Sequence, residues 1–142
     1  KDVATESAST SKMTLEILKD KGFDLSGVSI VDNSGLSFDN LITPRLLDDI
    51  LTRAATEPEL SSLLTSLPIA HGTGTLEDRY DGLSGAGWVR AKTGTLTDTS
   101  ALAGVVTSES GRVFAFAFVS NGSAIVPARE ALDELASILR DF

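Results

Sequence analysis

The residues best suited to chemistry are Lys92-Thr93-Gly94-Thr95, at the end of a stretch with strand character, Trp88 to Lys92. Lys92 can supply a fixed positive charge beside a nucleophile that must lose its proton, and it favours an anionic substrate terminus. The hydroxyls of Thr93 and Thr95 can donate hydrogen bonds to a carboxylate. Gly94 has no side chain, so a peptide can lie against the strand edge as an added strand. The backbone N–H of Thr95 is then placed to act as one oxyanion-hole donor. Taken alone, the triplet is weak and reads first as a polar strand end with a glycine turn.

These residues need elements to position them. Two further strands are expected, Ala101 to Thr107 and Val113 to Val119. In the latter, Phe114, Phe116 and Phe118 alternate with Val113, Ala115, Ala117 and Val119, so both faces are apolar and a central, doubly covered strand is expected. Pro127 begins a helix with an apolar stripe of Ala128, Ala131, Leu132, Leu135 and Leu139. Upstream, Thr43-Pro44 is a helix start, with a hydroxyl cap and then proline at the first helical position. Glu57-Pro58 ends that helix and opens another that stops before Leu67-Pro68. A helix over Lys12 to Lys21 carries Met13, Ile17 and Leu18 on one face, and a short strand is expected at Gly27 to Val31. Residues 1–11 read as a loop or frayed start.

Composition excludes several classes. The 142 residues suit one domain. The net charge of −8 shows no basic stripe for nucleic acid. With no cysteine and one histidine, thiolate catalysis and zinc are disfavoured and no cofactor is expected. No apolar run approaches a membrane span. His71 lies in a glycine-rich loop without a serine elbow, and reads as a surface residue rather than a triad member. Gly72-Thr73-Gly74 lacks the third glycine of a dinucleotide loop. Asp48-Asp49 and Glu130, Asp133 and Glu134 read as solvated helix faces, and Trp88 as packing.

K-T-G is one of three elements of the penicillin-recognising serine enzymes, beside S-x-x-K and S-x-N. Three further segments extend the likeness. Asp32-Asn33-Ser34-Gly35-Leu36-Ser37, followed by Asp39-Asn40-Leu41 and Pro44, resembles the D-G-S-G-L-S segment of the D-Ala-D-Ala carboxypeptidase family, which also includes DD-endopeptidases. Leu67-Pro68-Ile69-Ala70, Gly74-Thr75-Leu76 and Arg79 are similar to its L-P-x-A-x-x-x-G-[ST]-L-x-x-R stretch. Ala91 to Leu96 and Leu102-Ala103-Gly104 resemble its A-K-T-G-[ST]-L and L-A-G pair. Order and spacing agree over about Thr10 to Pro127. Asn33 and His71 stand where glycine is frequent, Thr73 where aspartate is frequent, and Phe38 where a basic residue is common. The Asp32 to Ser37 segment itself reads as a structural turn.

Ser9-Thr10-Ser11-Lys12 matches S-x-x-K, but Lys12 lies only 20 residues before Asp32 and no S-x-N intervenes. The family places both elements far upstream, so Ser9 reads as a loop or helix-cap serine and the nucleophile is expected on sequence before Lys1. The resemblance therefore implies the C-terminal part of a transpeptidase-like domain over 1–142. The implied fold is the α/β arrangement of serine β-lactamases and penicillin-binding proteins, an antiparallel sheet flanked by helices.

Lys92 and Thr95 are the implied catalytic residues, and Thr93, Gly94, Thr95 and Leu96 the substrate-binding ones. The implied enzyme is a serine-type carboxypeptidase outside the cytoplasm that cleaves the terminal D-alanine of peptidoglycan stem peptides and is acylated by β-lactams. Its partners would be the stem peptide, β-lactams and the N-terminal segment of the same protein. A DD-endopeptidase, a β-lactamase and a non-catalytic cell-wall-binding domain are the alternatives.

Overall fold

A computed structural model of the chain describes residues 3–122 and 124–142, with residues 3–8 described by their helical backbone. Two compact units result, Lys1–Leu46 and Leu47–Phe142.

In the first unit, helix α1 spans Val3–Asp20. The expected loop over 1–11 is therefore corrected: neither glycine nor proline interrupts the run before Gly22, whose φ of +80° ends the helix. Ser9 lies inside this helix rather than in a loop or at a cap. Lys12 pairs with Glu16 at 3.8 Å on the exposed surface. Met13 and Ile17 are also exposed, so the less exposed face is Ser11, Thr14, Leu15 and Leu18.

The expected strand at Gly27 to Val31 reduces to a single antiparallel bridge, Ser29 to Leu41. The turn after it is as expected. The Asp32 carboxylate accepts from the Ser34 N–H at 2.9 Å and the Ser34 hydroxyl at 2.8 Å, while Leu36 N–H donates to Ser34 Oγ at 3.1 Å. The Ser34 hydroxyl in particular holds the Asp32 carboxyl below its ordinary range.

Helix α2, Pro44–Thr56, starts as its sequence dictates, with Thr43 Oγ1 accepting from the Leu46 N–H at 3.2 Å. Glu57-Pro58 ends it. A 3₁₀ turn at Pro58–Leu60 and the short α3, Ser61–Ser66, lead to Leu67-Pro68.

The second unit is built on strands β1 (Val89–Thr95), β2 (Thr99–Thr107) and β3 (Val113–Asn121), antiparallel in the order β1-β2-β3. β2 is thus the central strand. β3 lies at an edge among the described residues rather than in the central place expected; Val113 and Val119 near its ends are exposed, while Phe114 to Phe118 are at least partly buried on both faces. Two apolar faces say that both sides of a strand are partly shielded, but not which edges are paired.

Helix α4, Ile125–Ile138, begins two residues before Pro127, a position in the first turn where no N–H is needed. It packs on the sheet through Ala128, Leu132 and Ala136; Leu135 is exposed, so the buried stripe is rotated from the expected one. Leu132 and Ala136 join Leu76, Tyr80, Val89, Ala91, Leu102, Val106 and Phe116 in one core. Lys92 and Gly94, one residue out of phase with Val89 and Ala91, therefore lie on the other face of the sheet.

Gly104 locks β1 onto β2. It pairs with Ala91, and a Cβ there would overlap the Arg90 carbonyl oxygen and stand 2.6 Å from the Ala91 Cα.

Candidate active site on the outer edge of strand β1

K-T-G falls inside β1 rather than at its end, because the pairing continues through Lys92 to Ala103 and Thr95 to Ser100. Leu96 then opens the turn, its N–H donating to the Thr99 carbonyl at 3.0 Å. The five expected site residues are thus consecutive along one strand and its turn.

The opposite edge of β1 is only half covered. Ala70 N–H donates to the Val89 carbonyl at 2.9 Å, and Ala91 N–H donates to the Pro68 carbonyl at 3.0 Å. The odd-numbered residues of β1 therefore turn their backbone polar groups outward, while the even-numbered ones face β2. Continued by two, this alternation brings the N–H and C=O of Thr93 and the N–H of Thr95 to the outer edge. Among the described residues no strand pairs with that edge beyond Ala91. An extended peptide can fill it by adding a strand.

Lys92 is exposed, and its ammonium donates to the Thr93 carbonyl at 2.8 Å. A positive charge is thereby tied to the same edge. A Cβ on Gly94 would stand 3.4 Å from Ala101 Cβ and meet nothing else within 4 Å. Internal packing thus leaves room there, and the glycine keeps the surface flat for a close approach from outside.

A loop closes the end of this edge. His71 N–H donates to the Leu76 carbonyl at 3.0 Å, and Thr73 N–H to the Ile69 carbonyl at 3.0 Å. Thr73 Oγ1 accepts in return from the Ile69 N–H at 2.9 Å. A threonine here thus provides the short-range acceptor that an aspartate would otherwise offer. His71 has φ +55°, the left-handed region, which explains why glycine is frequent at this position of the resembled family. The loop continues into a 3₁₀ turn, Gly74–Leu76, whose Leu76 is fully buried. Thr75, carried on that turn, accepts a hydrogen bond from the Thr93 hydroxyl at 3.1 Å. Sequence reasoning quoted Thr75 within a motif but gave it no place in the site; its pairing with Thr93 spans a loop that no local pattern encodes.

Beyond this turn, the Arg79 guanidinium grips the Asp133 carboxylate of α4 through two hydrogen bonds, at 2.9 and 2.7 Å, and both side chains are buried. Asp133 is therefore not part of a solvated helix face. Trp88 is half exposed, with the Arg140 guanidinium stacked 4.3 Å over its ring. Tyr80, at φ +69°, is buried beside Asp133; burial, reinforced by that carboxylate's charge, pushes its phenol well above the ordinary range. Among the described residues no group of three His, Cys, Asp or Glu side chains converges on a point that could hold a metal. No helix among them is long and apolar enough to cross a membrane.

The sequence matches the D-Ala-D-Ala carboxypeptidase 3 (S13) family over residues 2–141. The chain belongs to this family. It is 50% identical over 129 residues to carboxypeptidase DacB of Mycolicibacterium smegmatis, covering 87% of this chain and 28% of that protein. The crystal structure of penicillin binding protein 4 (dacB) from Haemophilus influenzae superposes with a TM-score of 0.78 at 29% identity, covering 89% of this chain and 30% of that one. The same Haemophilus protein complexed with a novel β-lactam superposes with a TM-score of 0.72 at 30% identity, covering 85% of this chain and 31% of that one. The fold is accordingly the α/β fold of the penicillin-binding proteins. The chain spans less than a third of the length of these family members.

Proposed function

We propose that this chain is the K-T-G part of a serine-type D-Ala-D-Ala carboxypeptidase, acting outside the cytoplasm on the stem peptides of peptidoglycan. The observation that carries the reading is the open edge of β1 at Thr93 and Thr95, with the Lys92 ammonium beside it. A stem peptide lies along that edge as an added strand. Its terminal carboxylate accepts from the hydroxyls of Thr93 and Thr95, Gly94 permits the close approach, and Leu96 bounds the binding stretch where the chain turns.

The nucleophilic serine, its neighbouring lysine and the S-x-N element come from sequence upstream of Lys1. That assignment is supported by the fraction of the DacB relative that this chain covers, 28%. It is also supported by the place of Ser9 within α1 and the pairing of Lys12 with Glu16. The serine oxygen attacks the carbonyl carbon of the penultimate D-alanine. The Thr95 N–H stabilises the oxyanion, and Lys92 contributes positive charge where negative charge develops. Collapse breaks the amide bond, the proton lost by the serine hydroxyl passes to the departing amine of D-alanine, and water then hydrolyses the acyl-enzyme to free the serine. β-Lactams, which carry an amide and a carboxylate in like relation, acylate the same serine; the complex of the Haemophilus protein with a β-lactam supports this part of the reading.

The test is release of D-alanine from a stem pentapeptide by the intact gene product. Stoichiometric release with conversion to the tetrapeptide is expected. Binding of the pentapeptide without any release would overturn the enzymatic reading.

A further inference from the structure

We infer that Thr75 is a positioning residue for recognition of the substrate carboxylate, acting through Thr93; the inference rests on the carboxylate-binding role proposed for Thr93. Thr75 does not sit on a loose surface loop. Leu76 beside it is fully buried, the loop is closed by His71 N–H on the Leu76 carbonyl, and a Cβ on Gly74 would stand 3.3 Å from the Pro68 ring. Pro68 in turn accepts from the Ala91 N–H of β1. The Thr75 hydroxyl is thus held in register with the K-T-G strand by backbone contacts on both sides.

Each hydroxyl has one proton and two acceptor sites. In the free protein Thr93 donates its proton to Thr75 Oγ1 at 3.1 Å. To bind a carboxylate, Thr93 must turn that proton toward the ligand. Thr75 can then donate its own proton to the lone pair that Thr93 exposes, so the pair stays hydrogen-bonded with its direction reversed. A donor feeding Thr93 polarises the Thr93 O–H and strengthens its bond to the anion. Without the Thr75 hydroxyl, Thr93 loses this acceptor in the free protein and the donor that would feed it once a carboxylate is bound.

The test compares Thr75→Val and Thr75→Ser in the intact gene product, using acylation by benzylpenicillin and by its uncharged methyl ester. Thr75→Val is expected to lower the second-order acylation constant for the free acid about 5- to 10-fold, and to leave that for the ester within about 2-fold of wild type. Thr75→Ser keeps the wild-type pattern. With the peptide substrate, the Val variant raises KM and leaves kcat nearly unchanged. Because the effect passes through Thr93, Thr75→Val adds little when Thr93→Val is already present.

Equal loss on acid and ester would show a purely structural role and overturn the inference, as would a Val variant indistinguishable from wild type on both. Should valine not be accommodated in the turn, Thr75→Ala makes the same comparison. Wild-type protein acylated by neither probe would instead overturn the proposed function on which the inference rests.

Discussion

Arg79 and Asp133, far apart in sequence, form a buried bidentate ion pair at 2.7 and 2.9 Å that ties the turn after Thr75 to helix α4. Removing one partner of such a pair leaves the other charged and desolvated. Asp133→Ala or Arg79→Ala is expected to destabilise the intact protein by about 3–5 kcal/mol, measured by denaturant unfolding. Arg79→Lys recovers little, because an ammonium cannot grip both carboxylate oxygens as the planar guanidinium does. Loss below about 1 kcal/mol would mean that solvent already reaches the pair.

Gly104 sets the closeness of β1 to its neighbour. Gly104→Ala would drive a methyl group into the Arg90 carbonyl and the Ala91 Cα, both backbone atoms that cannot step aside. A cost of about 1–3 kcal/mol is expected from overpacking. A displaced K-T-G strand would also slow β-lactam acylation at a temperature where the variant remains folded. Wild-type acylation in a destabilised variant would show that the strand shifts without moving the site.

His71 holds a left-handed backbone angle that a side chain disfavours. His71→Gly is expected to raise stability by about 0.5–1 kcal/mol, read as a higher Tm, with unchanged acylation. A lower Tm would show that the imidazole makes a compensating contact.

Tyr80 predicts an alkaline limit. Its neutral phenol is favoured by burial and by the Asp133 carboxylate, so its folded pKa lies above the ordinary 10.0. A raised pKa contributes stability that is fully present below the unfolded value and is lost as pH rises above it. Stability therefore falls above pH 10, by about 1.4 kcal/mol per pH unit until the folded phenol ionises. Tyr80→Phe removes this dependence. Phenylalanine keeps the buried ring and its place in the core, so the variant remains folded at neutral pH. Parallel pH profiles for wild type and Tyr80→Phe would contradict this.

The features legible in the sequence were those with local causes. Thr43-Pro44 starts α2 because the cap and the fixed proline φ act within one turn, and Glu57-Pro58 ends it for the same reason. A strand over Trp88 to Lys92, with Lys92 to Thr95 at its end, could be read from residue types alone. What stayed hidden depends on distant partners. The apolar faces of β3 did not disclose which edge is paired. Asp133 resembled its acidic neighbours until Arg79 came to it across the fold. The role of Thr75 required seeing Thr93 beside it, and β1 runs on through Thr95 only because Ser100 lies opposite.

The most direct test of the central claim is labelling of the intact gene product with a fluorescent penicillin, followed by peptide mapping, for wild type and Lys92→Ala. The account predicts a label on a serine upstream of Lys1 and a rate at least about 100-fold lower in Lys92→Ala, in the range seen when one electrostatic contact to a transition state is removed. A label on Ser9, or equal labelling of the two proteins, would contradict it.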